Sequence, residues 1–210
     1  DDLKTVEFDT LIINSEVQLF PSIDYLVDVL EKAIKGMKPS GTLFIGDVRS
    51  LPLLEAFHAS VQLCRIPDEL PVETLRYRVQ KNMVQEGQMA IDPNFFIALK
   101  QRLPQITQVE IQLRRGRAHN EMTKFRYDAI LHLGKDNLPQ IEPHWLDWQK
   151  GKLTLASVQE YLTDSQPTML GIQNVPNARL VSEMKLLELL SSEQNTLTAG
   201  EIQQTLQQLD

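Results

Sequence analysis

Two apolar, β-branched runs separated by one amphipathic stretch constrain this chain more than any other feature. The first is Leu11-Ile12-Ile13 and the second is Thr42-Leu43-Phe44-Ile45-Gly46-Asp47-Val48; both are continuous rather than alternating. Short runs of that kind suit strands covered on both faces, as in a parallel sheet. Between them Pro21 and Ser22 open a helix, with Ser22 placed to cap it. Ile23, Leu26, Val27, Leu30, Ala33, Ile34 and Met37 then fall on one helical face. Lys38-Pro39-Ser40-Gly41 reads as the turn that follows. Strand, helix and strand make a βαβ unit, and its crossover is expected to be right-handed.

Residues 51–103 read mostly as a helical insertion. Leu53, Leu54, Phe57, Val61 and Leu63 form its first stripe, and Pro67 and Pro71 interrupt it. A polar helix is expected from Val72 to about Gln85. A third starts at Asp92-Pro93, an N-cap followed by a proline whose missing N–H costs nothing there, and carries Phe95, Phe96, Leu99 and Leu103 inward. Two strands come next: Val109–Leu113, strictly alternating, and Phe125–Leu133. The connector Arg114–Lys124 is too short for a crossover helix, so the pair is expected to be antiparallel. After Gly134 the chain becomes irregular to about residue 152. A helix from Thr154 to Leu162, a short strand at Thr168–Ile172, a helix at Asn177–Leu190 and a Gln-rich helix at Thr198–Leu209 follow. Leu180, Val181, Met184, Leu187 and Leu190 should face inward, and the last helix is expected to fray. The reading is therefore an α/β core over 1–134 and a mostly helical C-terminal extension over 135–210.

Charge and composition exclude several function classes. With 42% hydrophobic and 23% charged residues among 210, the chain has the makings of an ordinary folded core. A net charge of −7 argues against a nucleic-acid partner, which needs a basic face. Cys64, the single cysteine, rules out an internal disulfide, fits a reducing, cytoplasmic setting, and is expected to be buried. No apolar run approaches the ~18 residues of a membrane span. The opening Asp-Asp-Leu-Lys, without Met or a signal pattern, suggests a piece of a longer protein.

In open α/β sheets ligands sit beyond the carboxyl ends of parallel strands. Here those ends are Asn14-Ser15-Glu16-Val17-Gln18 and Asp47-Val48-Arg49-Ser50. Asn14 donates and accepts at once, and Asp47 and Arg49 are close enough in sequence to pair. The plainer alternative is that Asn14 and Asp47 cap the helices that follow. His58 lies one helical turn after Glu55, so that a carboxylate would orient an imidazole base; a merely structural histidine is the alternative. Arg114-Arg115-Gly116-Arg117-Ala118-His119-Asn120-Glu121 is the densest cluster. Its arginines suit a phosphate or carboxylate, and His119 and Glu121 suit acid–base work, unless the segment is only a solvated hairpin loop. His132 reads as structural, and His144, Trp145 and Trp148 as packing of the C-terminal part. The scattered histidines suggest no metal site.

These residues also carry a resemblance. Phe8-Asp9-Thr10-Leu11-Ile12-Ile13-Asn14-Ser15-Glu16-Val17-Gln18-Leu19-Phe20-Pro21-Ser22 resembles a segment of class I S-adenosylmethionine-dependent methyltransferases. More specifically, it is similar to the N-methyltransferase domain embedded in adenylation domains of nonribosomal peptide synthetases. The similarity continues from Lys38 to His58, through Arg115–Glu121 and Phe125–Asp128, and on through Trp145–Trp148 and Val175–Arg179. It thus covers nearly the whole chain.

The resemblance implies part of a doubly wound, Rossmann-like methyltransferase sheet. Leu11–Ile13 would be its fourth strand, Leu43–Val48 its fifth, and the two later strands its antiparallel closing pair. The glycine-rich cofactor loop has no counterpart here, so the chain corresponds to the later portion of such a domain. The implied reaction is methyl transfer from S-adenosylmethionine to the amine of a carrier-bound aminoacyl thioester; residues alone do not separate nitrogen from oxygen or carbon acceptors. A non-catalytic structural segment of a synthetase is the competing reading. The implied roles place Asn14 and Ser15 beside the methyl-bearing sulfonium, with Asp1 or Asp2 at the adenine. Asn14 and Gln18 would position the amine, and His58 or Glu121 would accept its proton. Asp47, Arg49, Arg115, Arg117 and His119 would face the substrate and its phosphopantetheine arm. The implied partners are the adenylation and carrier-protein domains of the same synthetase. At Glu16 and Leu19 the chain departs from the family's Val and Tyr, adding a charge and losing a ring.

Overall fold

The strand–helix–strand unit is present at the start of the chain. The computed structural model describes residues 8–134, 142–192 and 196–209. β1 (Phe8–Asn14), α1 (Ile23–Lys35) and β2 (Met37–Arg49) follow one another, with a single 3-10 turn at Val17–Leu19 between β1 and α1. Ser22 caps α1 by accepting the Tyr25 N–H at 3.1 Å. β1 and β2 are parallel, with Leu11 opposite Leu43 and Asn14 opposite Gly46. The stretch Lys38–Gly41 is not a turn but lies within β2; the register shift between Phe8 and Thr10 takes up its extra residues.

The helical insertion holds α2 (Leu54–Leu63), α3 (Val72–Val84) and α4 (Pro93–Arg102), the last capped by Asp92, which accepts the Asn94 N–H at 2.8 Å. β3 (Ile106–Leu113), the short helix α5 (Glu121–Lys124) and β4 (Arg126–Leu133) complete the sheet. Its order is β1-β2-β4-β3, and β4 is antiparallel to both β2 and β3. The architecture is mixed α/β. Among the described residues β1 forms an edge, and Ile12 is 66% exposed, so this strand is not covered on both faces as its composition suggested.

A continuous core joins Leu26 and Leu30 of α1, Leu43 and Ile45 of β2, Phe96 and Leu99 of α4, and Ala129 and Leu131 of β4. Each of the larger side chains contributes roughly 1.5–3 kcal/mol by leaving water. A second core is helical. Ala59 and Leu63 of α2 and Leu75 and Val79 of α3 meet Leu186 and Leu190 of α7 (Val181–Ser191) and Ala199 and Ile202 of α8 (Ala199–Gln207). α8 is anchored rather than frayed: Thr198 and Glu201 form a capping box, and Ala199 and Ile202 are fully buried. In α7 the inward face differs from the expected one. Val181 and Met184 are about half exposed while Leu186 and Glu183 are buried. The preceding 3-10 turn, Ala178–Leu180, has its own tighter period and rotates the stripe.

The chain divides into two units, one of residues 1–135 and 179–210 and one of residues 136–178. The expected C-terminal extension is therefore split, because α7 and α8 pack on the insertion helices. In the smaller unit β5 (His144–Asp147) and β6 (Leu170–Gln173) pair in parallel around α6 (Leu155–Ser165). There His144 stacks on Tyr161 and the Trp145 indole lies across Gly171, where a side chain would collide with it.

Candidate functional site

Because β1 and β2 are parallel, Asn14 and Asp47 emerge at the same end of the sheet. The chain bends sharply at both. Ser15 has φ 61° and Asp47 has φ 64°, left-handed conformations that cost a non-glycine residue roughly 1–3 kcal/mol each and persist only where the surroundings enforce them. The enforcement is visible. The Ser15 N–H donates to the Gly46 carbonyl at 3.2 Å, and the Ser15 hydroxyl donates to Asp47 Oδ2 at 3.0 Å. The Asn14 amide is exposed and donates to Ser15 Oγ at 3.2 Å. Its Oδ1 lies over Gly46, where an added Cβ would approach to 2.3 Å. Gln18 Nε2 donates to the Ser15 carbonyl at 2.7 Å, while its Oε1 is buried without a hydrogen-bond partner. Neither Asn14 nor Asp47 caps a helix: the turns that follow carry no side-chain cap.

Asp47 is 1% exposed and is the centre of an ion network. Arg126 Nη1 donates to its Oδ2 at 2.8 Å, and Arg114 Nη1 stands 3.6 Å from its Oδ1. Its own N–H donates to Asp128 Oδ1 at 2.9 Å, and Asp128 also accepts from Arg114 at 2.9 Å. Arg126 ion-pairs with Glu121 as well. The expected Asp47–Arg49 pair is not formed. Two residues apart in a regular strand they would share a face, but the left-handed turn at Asp47 breaks the alternation.

Arg49 belongs to a second buried network. Its Nη1 lies 2.8 Å from Glu86 Oε1 and donates to Gln88 Oε1 at 3.2 Å, and the guanidinium sits over the Phe57 ring at 5.1 Å. Glu86 Oε2 is 3.0 Å from His58 Nε2. His58 is thus held by Glu86 and not by Glu55, since His58 faces inward on α2 while Glu55 is exposed. Burial pushes the Glu86 carboxyl up. The hydrogen bonds from Arg49 and the Gln88 N–H, with the charges of Arg49 and His58, outweigh that and hold it below its ordinary value. Both Arg49 and His58 are committed side chains, 6% and 8% exposed, and neither presents a free face to a substrate as the sequence suggested.

The arginine cluster is a braced loop rather than a plain hairpin turn. Arg115, Arg117 and His119 are exposed. Arg179 donates to the carbonyls of Arg114 at 2.6 Å, Gly116 at 3.1 Å and Thr123 at 3.3 Å, and Asn120 and Thr123 form the capping box of α5. Glu121 joins the Asp47 network through Arg126, so the structure brings Asn14, Ser15, Gln18, Asp47 and Glu121 toward one rim and leaves His58 in the other cluster. Asp1 and Asp2 lie outside the described residues. Sequence reasoning missed Glu86, Arg126 and Arg114 as the partners of Arg49 and Asp47. Arg126 stands across from Arg49 in the antiparallel register, a relation no local spacing reveals. Cys64 is exposed, not buried, at the end of α2.

Beside Gln18 a groove of about 520 Å³ opens between Phe20–Ile23 on one side and Glu86–Asp92 with Phe95 on the other. The Met89 N–H ties its far wall to the Gln18 carbonyl at 2.9 Å, and the Ile91 N–H ties it to the Arg49 carbonyl at 2.8 Å. Tyr127, whose hydroxyl donates to the Ile91 carbonyl at 3.0 Å, is pushed up in pKa by burial and by the Asp92 charge.

The chain is 45% identical over 192 residues to chondramide synthase of Chondromyces crocatus, a match covering 89% of this chain. Its relatives are nonribosomal peptide synthetases. One from Metarhizium robertsii is 34% identical over 191 residues, and the bassianolide nonribosomal cyclodepsipeptide synthetase of Beauveria bassiana is 30% identical over 189. The matches cover most of this chain but only 5%, 2% and 6% of those three proteins. No protein-family model matches the chain. Among the described residues no helix is long and apolar enough to cross a membrane.

Proposed function

We propose that this chain is the later portion of an S-adenosylmethionine-dependent methyltransferase domain within a nonribosomal peptide synthetase, and that it methylates the amine of a carrier-bound aminoacyl thioester. The observation that carries the reading is the pairing of Ser15 with Asp47 across the carboxyl ends of adjacent parallel strands, with Asn14 exposed beside them. The similarity to synthetase segments and the antiparallel pair set against β2 support it.

The residues present fit the reacting end of such a site. Asn14, an exposed residue, sets its amide oxygen over Gly46, and Gln18 holds a buried acceptor without a partner. Asn14 and Ser15 would lie beside the methyl donor; Asp1 or Asp2, the expected adenine partner, lies outside the described residues. When bound, S-adenosylmethionine supplies a sulfonium methyl group open to displacement by a neutral amine. Asn14 Oδ1 accepts an N–H of that amine and fixes the direction of its lone pair, and orientation is the main work required. Of the two expected proton acceptors, Glu121 is reached by solvent beside Arg126, while His58 stays withheld in its pair with Glu86. Arg115 and Arg117, exposed on the braced loop, face the solvent from which a phosphodiester arm on a carrier domain would arrive.

The test is methyl transfer from isotopically labelled S-adenosylmethionine to carrier-bound aminoacyl thioester by the intact synthetase, read by mass spectrometry. Label on the amino nitrogen is expected; label on oxygen or carbon would reassign the acceptor. A second reading, an inert structural segment, is favoured by the exposed Glu16 and Leu19. Calorimetric titration of the intact protein with S-adenosylmethionine separates the two, since an inert segment takes up no heat-producing ligand.

A further inference from the structure

We infer that the groove between Phe20–Ile23 and Glu86–Phe95 receives the side chain of the acceptor amino acid, and that it selects apolar side chains, aliphatic or aromatic. The inference rests on the proposed reaction and adds the substrate class. Position is the first argument. The groove begins two residues after Gln18, at the same strand ends as Asn14, and its far wall is hydrogen-bonded to the Gln18 and Arg49 main chain.

Lining is the second. Phe20, Ile23, Met89 and Phe95 are partly exposed apolar residues in its lining, beside the polar Ser22 and Gln88. Of the acidic residues on its border, Glu86 is held by Arg49 and His58, and one oxygen of Asp92 accepts the Asn94 N–H. An anionic side chain would meet the Glu86 and Asp92 carboxylates and no lining cation, and would leave water without compensation, a large cost. A cationic one would meet a single carboxylate, Asp92, one oxygen of which already holds the Asn94 N–H. An apolar one gains by burial. The volume of about 520 Å³ is in the range of small-molecule sites and admits the largest natural side chains.

Rigidity is the third argument. A wall that discriminates between side chains must not yield to them. The Glu86 carboxylate, receiving Arg49, His58 and the Gln88 N–H, pins the near end of the 86–92 segment. The Ile91 carbonyl, receiving the Leu51 N–H at 3.2 Å and the Tyr127 hydroxyl at 3.0 Å, pins the other end.

The experiment offers the intact synthetase equal amounts of carrier-bound alanine and carrier-bound phenylalanine thioesters and reads the ratio of methylated products. Ala90→Trp, which narrows the groove, should shift that ratio toward alanine by roughly tenfold or more. Phe95→Ala, which widens it, should shift the ratio toward phenylalanine and decides the matter if Ala90→Trp yields no product. An active synthetase whose ratio neither variant moves overturns the inference while leaving methyl transfer intact. An unvaried synthetase that methylates neither substrate overturns the parent reading and this one with it.

Discussion

At the scale of single residues, Asp47 is the sharpest place to test the account, because at 1% exposure it is the most buried charged side chain among the described residues. It is buried against Arg126, with Arg114 nearby and Ser15 donating to it, in a conformation that costs energy to hold. Replacing it by alanine leaves the Arg126 charge buried with one partner fewer. Asp47→Ala should therefore lower stability by roughly 3–5 kcal/mol, seen in the denaturant midpoint; a loss under about 1 kcal/mol, the size of a surface ion pair, would mean the network is solvated. Glu86 makes a pH-dependent prediction. Its carboxyl titrates below the ordinary value in the folded chain, so on acidification the unfolded chain takes up the proton first. The stability it contributes is full above its unfolded pKa and is lost as pH falls through the folded one. Glu86→Gln should be less stable than the native chain at neutral pH, and the gap should shrink below about pH 4.5. Denaturant midpoints that stay equally far apart from pH 7 to pH 3 would contradict this.

At the scale of elements, the helix caps were the most legible part of the sequence. Ser22 and Asp92 each accept the N–H expected of a cap, and Thr154 and Thr198, where helices were expected to open, cap α6 and α8, because a cap is a local bond between near neighbours. Pairings set by strand register were not legible: Arg126 reaches Asp47 from 79 residues away, and Glu86 reaches His58 from 28. The burial of β1 was misjudged for a related reason. Its run of apolar residues says what a strand can cover, not what covers it, and Ile12 stands in the open. α8 was misjudged the other way, since its glutamines concealed two fully buried positions, Ala199 and Ile202. Ile202→Ala should cost about 2–5 kcal/mol if α8 is part of the core; a change within about 0.5 kcal/mol would return it to the status of a fraying end.

At the scale of the whole molecule, the rim of the sheet was foreseeable from the two parallel strands and the ion networks behind it were not. Asn14, Ser15 and Gln18 converge because the chain direction forces them to. The arginines divide by burial. Arg49, Arg114 and Arg126 hold the rim together, while Arg115 and Arg117 remain outside it, a division that composition cannot show. The account turns on Asn14 as the group that aims the acceptor. The decisive measurement is single-turnover methyl transfer by the intact synthetase carrying Asn14→Ala, with the thermal unfolding midpoint recorded on the same protein. The exposed amide supports little of the fold, so the midpoint should hold while the rate falls about 100-fold, the scale expected for lost orientation. An unchanged rate would remove the rim from the chemistry.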